Sequence, residues 1–174
     1  MVFLQKLNGR EIPVCLLFNR VNHIKAVSQG FALISRLGNG VFWYSLMLVL
    51  PLLYGKLGLQ AALHMLVVGL VGVVIYKLLK TKTHRVRPYH YNSSIFQNVA
   101  ALDQFSFPSG HTLHAVSFTG IALHYFPTLA IVLLPFTLLV SLSRVVLGLH
   151  YPSDVLMGAL IGVALAQGSL LGLA

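Results

Sequence analysis

Hydrophobic positions along this chain gather into long runs parted by short polar breaks, the pattern a bilayer selects rather than a water-exposed fold. Residues 41–54 form the first long run, with Trp43 and Tyr44 near its start and Tyr54 at its end, placed like interfacial anchors. A tight turn over 55–58 holds Lys56. Residues 59–79 make the cleanest run, and Gly69 and Gly72 inside it mark close helix packing. Residues 110–126, 129–149 and 155–173 supply the others, the last rich in Gly and Ala. The pattern predicts an all-α polytopic membrane helix bundle of about five transmembrane helices, since a crossing needs about 20 apolar residues.

The first 37 residues read differently. The apolar stretch 12–18 is too short to span. Ile24, Val27, Phe31, Ile34 and Leu37 then recur at helical period, which predicts an N-terminal amphipathic helix lying on the membrane surface. A sixth span results if 12–36 crosses instead. Gly38-Asn39-Gly40 is a break. One domain is expected over 1–174: an interfacial segment at 1–37 and a bundle at 59–173 that carries the chemistry.

Composition sharpens this picture. The chain is 57% hydrophobic and 9% charged, against about 25% charged in soluble domains. Its net charge of +9 would suit nucleic acid, but the cations flank apolar segments: five of twelve lie in 1–36 and five in 77–87. Cations so placed attract anionic headgroups or phosphorylated substrates, so membrane lipids are the expected partners and nucleic acid is not. Cys15 is the single cysteine, which leaves no intramolecular disulfide.

The runs from 59 onward bring three polar stretches to one membrane face. The first is Lys80 to Pro88, "KTKTHRVRP", in which Lys80 and Arg87 suit a phosphate; a juxtamembrane basic patch is the plainer alternative. The second is "FPSGHTLH", where Pro108 and Gly110 punctuate a helix start. There the amides of Ser109, Gly110 and His111 would be unpaired donors, with His111 as proton donor; an ordinary cap by Ser109 is the alternative. The third is "SRVVLGLHYPSD", where Asp154 follows His150 by four residues. On one helix that spacing lets the carboxylate orient the imidazole as a nucleophile or base, with Arg144 nearby for a phosphoryl oxygen. No metal site is expected, because carboxylates are scarce and cations line the place; Glu11 reads as remote.

Together these stretches resemble the type 2 phosphatidic acid phosphatase (PAP2) superfamily, which includes glucose-6-phosphatase and the vanadium haloperoxidases. Its signature K-x6-R-P, P-S-G-H and S-R-x5-H-x3-D is matched at all eleven specified positions: Lys80, Arg87, Pro88, Pro108, Ser109, Gly110, His111, Ser143, Arg144, His150 and Asp154. The resemblance implies His150 as nucleophile, Asp154 as the residue orienting it and His111 as acid and then base. It also implies Lys80, Arg87, Ser109, Gly110 and Arg144 as the phosphate-binding set, with no cofactor.

The expected activity is metal-independent dephosphorylation of a membrane lipid phosphate or pyrophosphate through a phosphohistidine. Undecaprenyl pyrophosphate, phosphatidylglycerol phosphate and phosphatidic acid are the candidate substrates. The alternatives are a phosphotransferase acting on a second lipid and a non-catalytic lipid-phosphate binding or transport protein. The expected location is the bacterial inner membrane, with the site at the periplasmic face by resemblance.

Overall fold

The computed structural model describes residues 2–172, with side chains from residue 7 onward. Helices hold 82% of the chain, and no strand occurs among the described residues. In chain order they are α1 (Val2–Asn19), α2 (Lys25–Arg36), α3 (Phe42–Thr83), α4 (Pro88–Tyr91), α5 (Gly110–Tyr125), α6 (Ala130–Val146) and α7 (Pro152–Leu171). The predicted apolar runs fall on α3, α5, α6 and α7; Leu173 of the last run lies outside the described residues.

Helix α3 is two arms. At Gly55 the backbone turns to φ 57 and ψ −131, and the chain doubles back. A Cβ on Gly58 would sit 2.0 Å from the Leu50 carbonyl oxygen, so only glycine lets the arms meet this closely. Trp43 on one arm and Gly69 on the other both touch Phe118 of α5. Segments Lys25–Tyr91, Pro127–Val146 and Pro152–Leu171 are long and apolar enough to cross a membrane, and the first of them contains this reversal.

Helix α5 is the centre of the bundle. Leu113 is buried, and Ala115, Phe118, Ile121 and Ala122 are buried with Leu50, Met65, Leu133 and Val140 of its neighbours in one core. Helix α7 approaches α5 along Gly158, Gly162 and Ala166, a stripe of small residues at four-residue spacing. Cβ atoms at Gly158 and Gly162 would lie 2.5 Å and 2.7 Å from carbonyl oxygens of α5 and its cap. Large apolar side chains face outward instead: Ile131 is 85% exposed and Leu52 83%. That inversion suits a lipid surround.

The N-terminal segment is more structured than its pattern predicts. Helix α1, not anticipated as a helix, lies over the loops at one end of the bundle. There Ile12 and Cys15 form a small second core with Ile95 and Tyr151. Helix α2 buries Ser28, Ala32 and Ser35, holds Val27, Phe31 and Ile34 half-buried and leaves Leu33 exposed. Its small polar face therefore docks on the protein and leaves much of the apolar face outside. The polar stretch after α3 is ordered by the same end: the Asn19 and Asn22 amides donate to the Phe96 carbonyl at 2.9 and 3.0 Å.

Candidate active site

Three turns of chain set the site. Helix α6 ends at Val146, and Gly148 takes φ 71, where a Cβ would strike Ile95. The chain curls so that the amides of Leu149 and His150 both donate to the Arg144 carbonyl at 3.0 Å. This pins His150 in a tight loop. His150 therefore precedes α7, and Asp154 lies in its first turn, so the expected shared helix is corrected. The i, i+4 contact survives because the loop folds back, with Nδ1 of His150 3.6 Å from Oδ2 of Asp154. That is too long for a hydrogen bond, and Nδ1 has no other partner.

The second turn is the start of α5. Ser109 caps the helix: its Oγ stands 3.4 Å from the Thr112 amide and 3.0 Å from the Thr112 hydroxyl. Its own amide donates to the Asp154 carbonyl at 3.0 Å. The expectation that this amide is free is thus corrected. Among the described residues, Gly110 and His111 hold the remaining open amides of that helix end. His111 Nε2 lies 2.5 Å from Asn39 Oδ1, in the break between α2 and α3.

The third is the end of α3 and the loop behind it. Lys80 Nζ and Arg87 Nη2 both reach Oδ1 of Asp103, at 2.8 and 2.7 Å. Arg87 Nη1 donates to the Leu149 carbonyl at 2.7 Å and stands 3.3 Å from Nε2 of His150. A guanidinium offers only donors, so the lone pair of His150 is on Nε2 and its proton on Nδ1, toward Asp154. Burial, then the charges of Arg87, Arg144 and Lys80, hold His150 well below the ordinary histidine value of 6.5.

Lys80, Arg87, Gly110, His111, Arg144 and His150 line one cavity of about 680 Å³. It continues between the arms of α3, past Trp43, Met47, Leu66 and Val73. Ser109 and Asp154 stand behind the wall, so the structure gathers six of the expected residues at the surface and two in support.

The sequence reading missed Arg85, Glu11, Ser106, Ser35 and Asn39. Glu11 is not remote: its Oε2 is 2.6 Å from Arg85 Nη2, and Arg85 Nη1 is 2.6 Å from Oδ1 of Asp154. Ser106 donates to the other oxygen of Asp154. All three acids of the chain are thereby engaged at this end, on Lys80, Arg85 and Arg87. Arg144 is buried without a carboxylate. One of its nitrogens donates to Ser35, and its Nε has no partner. Such a cation in a low-dielectric wall calls for an anion. Among the described residues no three His, Cys, Asp or Glu side chains converge on a point that would hold a metal ion.

A membrane helix bundle whose inner cavity joins an uncompensated arginine, a helix end and a neutral imidazole defines an anion-handling membrane protein. Residues 60–172 match the sequence profile of the PAP2 superfamily, and the chain belongs to that family. It is 30% identical to phosphatidylglycerophosphatase B of Bacillus subtilis over 163 residues, 83% of this chain and 68% of that protein. It is 41% identical to the decaprenylphosphoryl-5-phosphoribose phosphatase of Mycobacterium tuberculosis over 96 residues, 53% of this chain and 50% of that protein. With the lipid A 1-phosphatase of Rhizobium etli the figure is 32% over 95 residues, 51% of this chain and 40% of that protein. The chain thus spans half the length or less of these last two relatives. The fold is shared with the crystal structure of a transmembrane PAP2-type phosphatidylglycerolphosphate phosphatase from Bacillus subtilis. That match has a TM-score of 0.73, 25% identity, and coverage of 98% of this chain and 86% of that one. It is also shared with LpxE of Aquifex aeolicus, at TM-score 0.76 and 24% identity, covering 92% of this chain and 94% of that one.

Proposed function

We propose that this protein hydrolyses the phosphate of a membrane lipid through a phosphohistidine on His150, without a metal. The observation that carries the reading is the Arg144 guanidinium, buried without a carboxylate in the wall of the same cavity that His150 lines. A phosphoryl group would take the anion's place among Arg144, Arg87, Lys80 and the amides of Gly110 and His111. These donors would stabilise the charge on its equatorial oxygens. Nε2 of His150 would form the bond to phosphorus as the bond to the lipid oxygen breaks, and His111 would give that oxygen its proton. The phosphoimidazole carries a positive charge, which Asp154 would offset across Nδ1. Water, deprotonated by His111, would then attack phosphorus, release phosphate and restore His150. Two displacements replace one harder step.

The apolar reach of the cavity between the α3 arms supports a lipid rather than a soluble phosphate ester. Phosphatidylglycerol phosphate ranks first among the candidates, because a relative that aligns over 83% of this chain is named for that lipid. Undecaprenyl pyrophosphate and phosphatidic acid follow. The protein would sit in a bacterial inner membrane with the site at the periplasmic leaflet.

The test is phosphate release by purified protein in detergent from each of these lipids. Turnover of at least one is expected, abolished by His150→Ala, inhibited by vanadate and unchanged by a chelator. Turnover that survives His150→Ala, or that a chelator removes, would sink the mechanism.

A further inference from the structure

Helix α1 reaches the site through one buried arginine. Arg85 is 2% exposed, and each of its side-chain nitrogens is engaged. Its Nε donates to Asn8 Oδ1 at 2.9 Å and its Nη2 to Glu11 Oε2 at 2.6 Å, both on α1. Its Nη1 donates to Asp154 Oδ1 at 2.6 Å and to Ser153 Oγ at 2.7 Å, both in the first turn of α7. The guanidinium also lies over the Tyr151 ring, 4.1 Å from its centroid. Glu11 closes the circuit: it accepts from the Ser153 amide at 2.8 Å and the Ser153 hydroxyl at 2.7 Å. Neither Arg85 nor Glu11 lines the cavity.

We infer that Arg85 and Glu11 are positioning residues, which make α1 a brace that holds Asp154 ionised and in place behind His150. The inference rests on the phosphohistidine reading above. Asp154 is wholly buried, and a carboxylate there persists only with a cation and hydrogen bonds around it. Among the described residues Arg85 is the cation bonded to it, and the Tyr151 amide and the Ser106 hydroxyl fill the other oxygen. Lysine cannot replace the fork, because a single ammonium cannot reach α1 and Asp154 in fixed geometry together. Glu11 in turn ties Arg85 to the first turn of α7, so its loss frees the arginine to turn away from Asp154.

The experiment is single-turnover phosphate release from the lipid that wild type turns over, for Arg85→Lys, Arg85→Gln and Glu11→Gln. Single-turnover rate and amplitude are read separately, alongside steady-state KM. A misplaced orienting group slows the step by up to about 100-fold. Arg85→Gln should therefore slow it by about that much, and Arg85→Lys and Glu11→Gln by about 10-fold. KM should stay near wild type and amplitudes near full. A merely structural pair predicts the opposite: reduced amplitude, from fewer folded molecules, at an unchanged rate. Breaking a buried pair is strongly destabilising. If Arg85→Gln cannot be purified, Glu11→Gln and Arg85→Lys decide, and rates within about two-fold of wild type in both overturn the inference. Wild-type protein that releases no phosphate from any lipid would instead bring down the functional reading beneath it.

Discussion

The residue with the most determined state is His150. Its pKa is held well below 6.5, first because burial disfavours the charged ring and then because Arg87, Arg144 and Lys80 each disfavour another positive charge. For the free enzyme this puts the acid limb of kcat/KM, the protonation that removes the nucleophile, below the usual histidine range. Arg87→Gln removes the nearest cation, so the pKa of His150 should rise and its limb should move to higher pH, even as overall activity falls. A kcat/KM profile of both proteins checks this; a limb that stays put or moves lower contradicts the assignment of His150. The motif residues were legible because their identities and spacings are local. Arg85, Glu11 and Ser35 were not, because their partners are distant: Glu11 meets Ser153 across 142 residues and Ser35 meets Arg144 across 109. No spacing rule connects such pairs.

Among the elements, α5 and α7 fix how far the helix end at Gly110 sits from Asp154. Their contact is backbone on backbone at Gly158 and Gly162. Gly162→Ala pushes a methyl against the Leu113 carbonyl, at 2.7 Å before relaxation. Overpacking of this kind costs about 1–3 kcal/mol. Gly168 on the same helix faces open space, so Gly168→Ala should be neutral or slightly stabilising. Thermal unfolding in detergent should therefore show a lowered Tm for the first and not for the second; equal values would mean the contact is slack. The long apolar runs were readable because they are unbroken. The buried face of α2 was not: in lipid, apolar side chains need not turn inward, so Ser28, Ala32 and Ser35 form the protein-facing side. Periodicity located that helix, and the residues it marked, Val27, Phe31 and Ile34, lie half-buried beside that side.

At the scale of the whole molecule, charge is lopsided. Arg10, Arg20, Lys25, Arg36, Lys77 and Lys82 are exposed toward the site end, and Lys56 stands alone at the reversal of α3. The positive-inside rule alone would turn the site end to the cytoplasm. A ring of cations about a lipid-phosphate mouth has a second cause, since it draws anionic headgroups in either leaflet. The periplasmic reading predicts that Lys56→Cys, in a Cys15→Ser background, is shielded from an impermeant maleimide in intact cells. It predicts labelling of Lys82→Cys under the same conditions. The reverse pattern would place the chemistry inside.

The clasp between α1 and the first turn of α7 has a consequence for how the protein is made. Glu11 leaves the ribosome 142 residues ahead of Ser153. Until that segment is synthesised, Glu11 has no partner on α7 and Arg85 no carboxylate from it. A nascent chain can therefore insert α2 to α6 while chemically idle, and reactivity would begin only once the first turn of α7 has been made.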